Sequence, residues 1–150
     1  MKEYGTAAFG PVVKTLSLKA APSRAFSHFT DNIAAWWPLA LHSLSQEEAR
    51  GVVFEAKRGG RIYEIDSAGR TRDWGRVTEC DAPHRLVFSW GLEKPADATE
   101  IEVTFDDDGK VGTDFKLVHR GFLETKSGGD RRSIYDGGWV GVLSAYERTV

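Results

Sequence analysis

The chain has 150 residues and a formal net charge of −2 at pH 7, and 28% of its residues are charged. We expect a single domain over residues 1–150, with residues 1–11 as a loose lead-in. The near-neutral charge argues against a nucleic-acid-binding protein, which normally carries a basic face. The sequence has neither an apolar run long enough to span a membrane nor the apolar core of a secretory signal, so the expected location is the cytoplasm.

The first part of the chain predicts one strand and two short helices. Apolar and polar residues alternate from Val12 to Lys19, which is typical of a half-buried strand. Pro22 suits the first position of a helix on which two phenylalanines share a face. Asp31 is placed to cap a second short helix, which Pro38 ends.

Six further strands are predicted after Gly51. Short turns rich in Gly, Pro and Asp separate them, and alternate positions in the last three are apolar, which indicates an antiparallel meander with one apolar face. The turn before the fifth of these strands spans 93–98. The predicted strands are residues 52–54, 61–65, 71–80, 85–90, 99–105 and 111–120.

The end of the chain predicts a long helix with an aromatic stripe. Tyr135, Trp139, Val142 and Tyr146 recur at helical spacing, with Leu143 beside them. The concave face of a bent sheet is the only large surface that can bury this stripe. The predicted fold is therefore α+β, with a curved antiparallel sheet of about seven strands around a long C-terminal helix.

Aromatic residues form 11% of the chain, including five Trp and eight Phe. For any single ring two interpretations stay open, a filled core or the lining of a cavity. A sheet bent around one helix encloses more volume than one core layer fills, which favours a cavity for a small apolar, aromatic or lipid-like ligand. The candidate ligand-binding residues are Trp36, Phe54, Tyr63, Trp74, Phe88, Trp90, Phe115, Leu117, His119, Trp139, Leu143 and Tyr146.

His119 is the candidate catalytic residue. It shares a strand face with Phe115 and Leu117, where a lone histidine is either structural or a proton-transfer group. An enzyme of this kind would pair His119 with a carboxylate such as Glu79 or Asp73 on a neighbouring strand.

Other patterns carry less chemistry. Of the neighbours Tyr63 and Glu64, we expect the tyrosine to face inwards and the glutamate to be solvated. The polar stretch with Gly128 and Gly129 is interpreted as a flexible loop near the cavity mouth. The four histidines lack metal-ligand spacing, and no phosphate-binding or dinucleotide-binding motif occurs, so neither a metal nor a cofactor is predicted.

Several short motifs follow one another from Val13 to Tyr146 in a characteristic order. Together they resemble the Hsp90-ATPase-activator-homologue-like group of the START/Bet v 1, or helix-grip, superfamily. The resemblance implies a seven-stranded sheet that grips the C-terminal helix, with a cavity between them. The motifs are Ala21-Pro22, Phe26, Thr30, Trp36-Trp37-Pro38, Gly59-Gly60-Arg61, Trp74-Gly75-Arg76-Val77, the run from Pro83 to Trp90, Gly112-Thr113, Leu117, His119, Gly121-Phe122 and Gly138-Trp139.

The resemblance implies three alternative functions. Members of the superfamily bind lipids, sterols, hormones and polyketides, and a few catalyse cyclisation or hydrolysis. The first expectation is a protein that binds a small hydrophobic ligand without chemistry. The second is a cyclase-type or hydrolase-type enzyme that uses His119, and the third is an interaction with other proteins like that of the Hsp90 co-chaperone. A homodimer is compatible with all three.

Overall fold

The computed structural model describes residues 8–91 and 98–150. Residues 1–7 of the predicted lead-in and most of the predicted turn at 93–98 lie outside the described residues. In the described part of the lead-in, Ala8 forms an isolated bridge with Leu123, and the Phe9 N–H donates to the Phe122 carbonyl at 2.8 Å.

The strands form one antiparallel sheet of seven, in the order β1-β7-β6-β5-β4-β3-β2. Each strand after the second pairs with the strand before it, and β1 closes the sheet beside β7, so the predicted meander is confirmed. The strands are β1 (Val12–Leu18), β2 (Ala49–Phe54), β3 (Arg61–Asp66), β4 (Thr71–Asp81), β5 (Arg85–Trp90), β6 (Thr99–Asp107) and β7 (Thr113–Arg120).

The helices lie at both ends of the chain. Helix α1 spans Pro22–Phe29, and a single 3-10 turn at Ile33–Ala35 takes the place of the second predicted helix. The first residue before that turn is Asn32, whose side chain makes no capping bond, so the predicted cap by Asp31 is wrong. Another 3-10 turn covers Gln46–Glu48.

Helix α2 spans Lys126–Thr149 and begins well before the predicted stripe. Gly128 and Gly129 therefore belong to its first turn, and the prediction of a flexible loop there is wrong. The Thr125 hydroxyl caps this turn by accepting a hydrogen bond from the Gly128 N–H at 3.0 Å. Gly128 also packs on the Leu123 carbonyl so closely that a Cβ would overlap it.

Strand β4 is bent by two bulges. Its pairing with β3 skips Trp74, and its pairing with β5 skips Thr78. A bulge bends its strand and increases the local twist, so the sheet becomes concave. Gly75 lies between the bulges, where a Cβ would overlap the Ser89 carbonyl of β5.

The orientation of β3 reverses one prediction. Glu64 is fully buried on the concave face together with Ile62, whereas Tyr63 lies on the outer face. There the Arg61 guanidinium lies 4.2 Å from the centre of the Tyr63 ring. The predictions of an inward Tyr63 and a solvated Glu64 are therefore wrong. Glu64 faces inwards because buried N–H donors require an acceptor at position 64.

Both helices pack on the concave face and enclose an aromatic core. Phe29 of α1 is surrounded by other rings, and the ring centres of Phe115 and Tyr146 lie 5.8 and 5.4 Å from its own. The Tyr146 hydroxyl donates to the Ala25 carbonyl at 2.6 Å and so links α2 to α1. The predicted helix-grip arrangement is confirmed.

Among the described residues, neither helix has the length and apolar character needed to cross a membrane.

Candidate functional site

A pocket of about 440 Å³ lies between α2 and the segment 37–43. This volume is in the range of about 300–1,000 Å³ that is usual for small-molecule sites. The pocket is lined by Trp37, Leu41, His42, Ser43, Trp90, Arg131, Ile134, Tyr135, Gly138, Trp139 and Val142.

Helix α2 supplies one wall of the pocket through a stripe of residues. Successive members are three or four positions apart and therefore share one side of the helix. Gly138 leaves this wall open, and the His42 ring lies 3.7 Å from the position that a Cβ of Gly138 would take. The stripe consists of Arg131, Ile134, Tyr135, Gly138, Trp139 and Val142.

The segment 37–43 forms the opposite wall and is held by internal hydrogen bonds. The Trp37 indole N–H donates to the His42 carbonyl at 2.7 Å, and the Ser43 hydroxyl donates to the Leu39 carbonyl at 2.5 Å. Both bonds therefore close within the segment itself.

Glu64 anchors the chain directly after this wall. Its carboxylate accepts hydrogen bonds from the backbone N–H groups of Leu44 and Ser45, at 2.6 and 2.8 Å. It also accepts the Trp74 indole N–H at 2.6 Å. Burial by itself raises the pKa of Glu64, but the hydrogen bonds from Ser45, Trp74 and Leu44 hold the pKa below its ordinary value. The group is therefore a buried carboxylate that fixes the pocket wall.

Three indole rings form the inner surface of the pocket, and we call Trp37, Trp90 and Trp139 the indole triangle. The centres of Trp37 and Trp90 are 6.0 Å apart, as are those of Trp37 and Trp139, and Trp90 and Trp139 are 6.1 Å apart. Such rings offer flat apolar surfaces with a polar N–H at one edge.

His119 lies behind the indole triangle and is fully buried. Its Nδ1 accepts the Trp139 indole N–H at 3.0 Å, and its Nε2 lies 2.6 Å from the Thr99 hydroxyl oxygen. The Thr99 hydroxyl donates to the Trp90 carbonyl at 3.0 Å, so it accepts from Nε2, which carries the proton of the neutral ring. Burial lowers the pKa of His119 to about 3. His119 is thus neutral and connects two members of the indole triangle.

The hydrogen bonds of His119 contradict the predicted acid–base pair. Glu79 forms an ion pair with Arg85 at 3.0 Å, and Asp73 forms one with Arg61. The partners of His119 are instead Trp139 and Thr99, so neither carboxylate is available to it.

Three ionisable side chains line the pocket, namely His42, Tyr135 and Arg131. Burial lowers the pKa of His42 and so favours the neutral form of its imidazole. Burial raises the pKa of Tyr135, against smaller lowering effects of Trp90 and Arg131, so its phenol keeps the proton. The pocket therefore presents a neutral imidazole, a phenol and a guanidinium around an apolar interior.

The structure separates the predicted ligand-binding residues into four groups. Trp90 and Trp139 line the pocket, His119 supports it from behind, and Tyr63 lies on the outer face of the sheet. The remaining eight are buried in the core: Trp36, Phe54, Trp74, Phe88, Phe115, Leu117, Leu143 and Tyr146.

Nine pocket residues were not among the ligand-binding residues predicted from the sequence. On α2 a usable signal existed, because residues 131, 134, 135, 138, 139 and 142 repeat at helical spacing. For the segment 37–43 no periodic signal exists, since it is a loop. The omitted residues are Trp37, Leu41, His42, Ser43, Arg131, Ile134, Tyr135, Gly138 and Val142.

Within residues 8–91 and 98–150, no three side chains among His, Cys, Asp and Glu are grouped so that they could hold a metal ion.

Comparison with known proteins gives one family match. The family described as "Activator of Hsp90 ATPase homolog 1-like protein" matches residues 19–146. None of the curated proteins matches the chain.

Several solved structures are similar to this chain. The anthrahydroquino-gamma-pyrone synthase Txn09 is 35% identical, covers 75% of this chain and 77% of its own, and has a TM-score of 0.55. The self-sacrificing resistance protein CalC from Micromonospora echinospora is 27% identical over 93% of this chain and 92% of its own, with a TM-score of 0.68. The Aha1 dimer from Colwellia psychrerythraea, at 17% identity, covers 93% and 94% with a TM-score of 0.67, and shows the fold alone.

Proposed function

The chain belongs to the family of Activator of Hsp90 ATPase homolog 1-like proteins, and from this premise we propose that it binds a small, flat, hydrophobic ligand in the pocket beside α2. The family membership confirms the predicted resemblance. The ligand would lie between the segment 37–43 and the pocket stripe of α2, against the indole triangle.

The indole triangle beside an exposed apolar rim is the observation that carries this proposal. Leu41 and Ile134 border the pocket and are 79% and 68% exposed. Large apolar side chains grouped at the mouth of an aromatic pocket are typical of a binding site, because a ligand removes them from water. Each Å² of apolar surface covered contributes about 25 cal/mol.

The relatives support a flat aromatic ligand. Txn09 is named as a synthase of an anthrahydroquino-gamma-pyrone, which is a compound with fused aromatic rings. Its 35% identity to this chain makes a related ligand shape the natural first choice for a binding test.

Fluorene, a flat tricyclic hydrocarbon, provides a direct test. We expect it to shift the indole N–H signals of Trp37, Trp90 and Trp139 in an NMR titration. The signals of Trp36 and Trp74 should move less, because these rings are buried outside the pocket and their N–H groups bind His28 and Glu64.

Two glycine variants localise the binding. Gly138→Leu places a side chain in the pocket, whereas Gly137→Leu points into open space with nothing within 4 Å of its Cβ. Fluorene binding should be lost in Gly138→Leu and kept in Gly137→Leu. Equal binding by both variants, or no indole shift in the wild type, would contradict a ligand site in this pocket.

A catalytic role in the same pocket is the second candidate, favoured by the similarity to the synthase Txn09. His42 and Tyr135 are the side chains suited to proton transfer, because they line the pocket. His119 is less suited, since it is fully buried and both ring nitrogens are bound. Turnover of the Txn09 substrate by the wild type, and its loss in His42→Gln with fluorene binding retained, would establish this role.

A role as a partner of Hsp90 stays a prediction. Addition of the purified protein to Hsp90, with the ATPase rate as readout, tests it.

A further inference from the structure

We propose that the ligand carries a carbonyl-type oxygen and that the Tyr135 hydroxyl donates a hydrogen bond to it, with the Trp90 indole N–H behind the phenol oxygen. This inference rests on the proposed function and specifies the chemical class of the ligand.

The three indole N–H groups of the triangle differ in their hydrogen bonding. Those of Trp37 and Trp139 are bound, to the His42 carbonyl and to His119 respectively. The N–H of Trp90 is buried and has no hydrogen-bond partner among the described residues. Buried donors are nearly always paired, so this group indicates an arrangement that a ligand completes.

Tyr135 lies between Trp90 and the pocket. The Trp90 N–H is close enough to the phenol oxygen to lower the pKa of Tyr135, although burial, the larger effect, raises it. No hydrogen bond of ordinary geometry joins the two side chains. A small shift of the phenol oxygen towards Trp90 would satisfy the indole N–H.

Neighbouring rings support the Tyr135 ring. It packs on His119 and Phe122, with ring centres 4.8 and 5.9 Å away. His119 is itself held by two hydrogen bonds. The ring is thus held in the pocket wall, and binding requires only a small shift of the phenol oxygen towards Trp90 and a suitable direction of its O–H.

Together, Trp90 and Tyr135 favour a ligand that carries an acceptor oxygen. A phenol that keeps its proton donates one hydrogen bond, and its own oxygen can accept the Trp90 N–H at the same time. The two bonds strengthen each other, because donation to the ligand makes the phenol oxygen a better acceptor for the Trp90 N–H, and acceptance from Trp90 makes the phenol a better donor to the ligand. Arg131, in the same wall, adds positive charge that favours a partly negative oxygen.

A pair of compounds with one skeleton tests the inference. 9-Fluorenone differs from fluorene by one carbonyl group, which accepts hydrogen bonds and donates none. We expect the wild type to bind fluorenone about three- to tenfold more tightly than fluorene, as one net hydrogen bond implies. The Trp90 indole signal should move downfield with fluorenone and not with fluorene.

Two tyrosine variants complete the experiment. Tyr135→Phe removes the donor and keeps the ring, so it should equalise the affinities for the two compounds. Tyr63→Phe, on the outer face of the sheet, is the matched control and should retain the preference for fluorenone.

The outcomes distinguish this inference from the proposed function. If fluorene and fluorenone bind the wild type equally, or if Tyr135→Phe keeps the preference, the inference is overturned and the apolar pocket stands. If neither compound binds, both the inference and the proposed function are overturned.

Discussion

Glu64 and His119 are buried polar side chains that support the pocket from opposite sides. Glu64 holds the backbone of Leu44 and Ser45, and His119 holds the indole of Trp139. Neither lines the pocket, but Glu64 bonds to the two residues that follow the segment 37–43, and His119 bonds to Trp139, which lines the pocket. We therefore expect both side chains to affect ligand binding indirectly, by holding other parts of the pocket in position.

We predict that Glu64→Gln destabilises the protein and loosens the pocket wall. An amide keeps one acceptor oxygen but brings its NH₂ towards N–H donors that are buried. Each buried group left unsatisfied costs about 1–3 kcal/mol, so the free energy of unfolding should fall by at least about 1 kcal/mol. Urea denaturation measures this change.

Glu47→Gln is the control for the loss of a negative charge, because Glu47 is exposed in the same region. Its unfolding midpoint should match the wild type. An unchanged midpoint for Glu64→Gln would show that the three hydrogen bonds to this carboxylate contribute nothing net.

Among the secondary-structure elements, β4 and α2 contain glycines that differ in the space available for a side chain. Gly75 of β4 faces the Ser89 carbonyl without room for a Cβ, whereas Gly137 of α2 has nothing within 4 Å of that position. The same substitution should therefore have opposite signs in the two elements.

We predict that Gly75→Ala destabilises the protein by about 1–3 kcal/mol, since β4 must move away from β5 to admit a methyl group. Gly137→Ala should stabilise it by up to about 1 kcal/mol, because alanine favours a helix interior. Thermal unfolding of both variants measures the difference. Destabilisation by both variants alike would contradict the described packing of β4.

The elements were predictable from sequence to the extent that they are periodic. Alternation located the first strand and the last three, turn residues helped to separate the others, and helical spacing located the buried stripe of α2. Position 64 was misjudged because a charged residue was taken as solvated, although it alternates in phase with the buried Ile62. Hydrophobic pattern cannot show that a carboxylate is paired with donors from a distant loop.

The candidate site was predictable only in part, because two of its features are tertiary. The position of the segment 37–43 opposite α2 depends on how a loop folds back, which leaves no repeat in the sequence. Core and pocket aromatics also look alike in sequence: Trp90 and Phe88 share a strand face, yet only Trp90 reaches the pocket.

At the scale of the whole molecule, one aromatic core joins the sheet to both helices. Phe29 of α1, Phe115 of β7 and Tyr146 of α2 contact one another. Elements that share a core in this way usually unfold together, so one cooperative transition is expected.

We predict that this transition weakens below neutral pH because of His119. Its folded pKa is about 3 and its ordinary value is 6.5, so only the unfolded chain takes up the proton between these values. Stability is therefore complete above about pH 6.5 and falls by roughly 1.4 kcal/mol per pH unit below it. Urea denaturation at pH 7, 6 and 5 measures the slope.

His119→Gln should remove the contribution of one proton to the slope of the unfolding free energy with pH, although the variant is less stable at every pH. His84→Gln removes an exposed histidine and should keep the wild-type slope. An unchanged slope in His119→Gln would mean that other groups cause the acid sensitivity, such as His28 and His42, whose pKa values burial also lowers.

The bracing of the segment 37–43 has a consequence for which molecules the protein admits. Trp37 bonds to His42 across the segment, and Glu64 clamps the residues that follow it, so the span left free is short. We expect such a short span to move little relative to α2, so that the gap between them keeps a nearly constant width. We therefore expect the pocket to select ligands by their thickness. Planar compounds should bind, while equally hydrophobic but globular compounds, such as adamantane, should not.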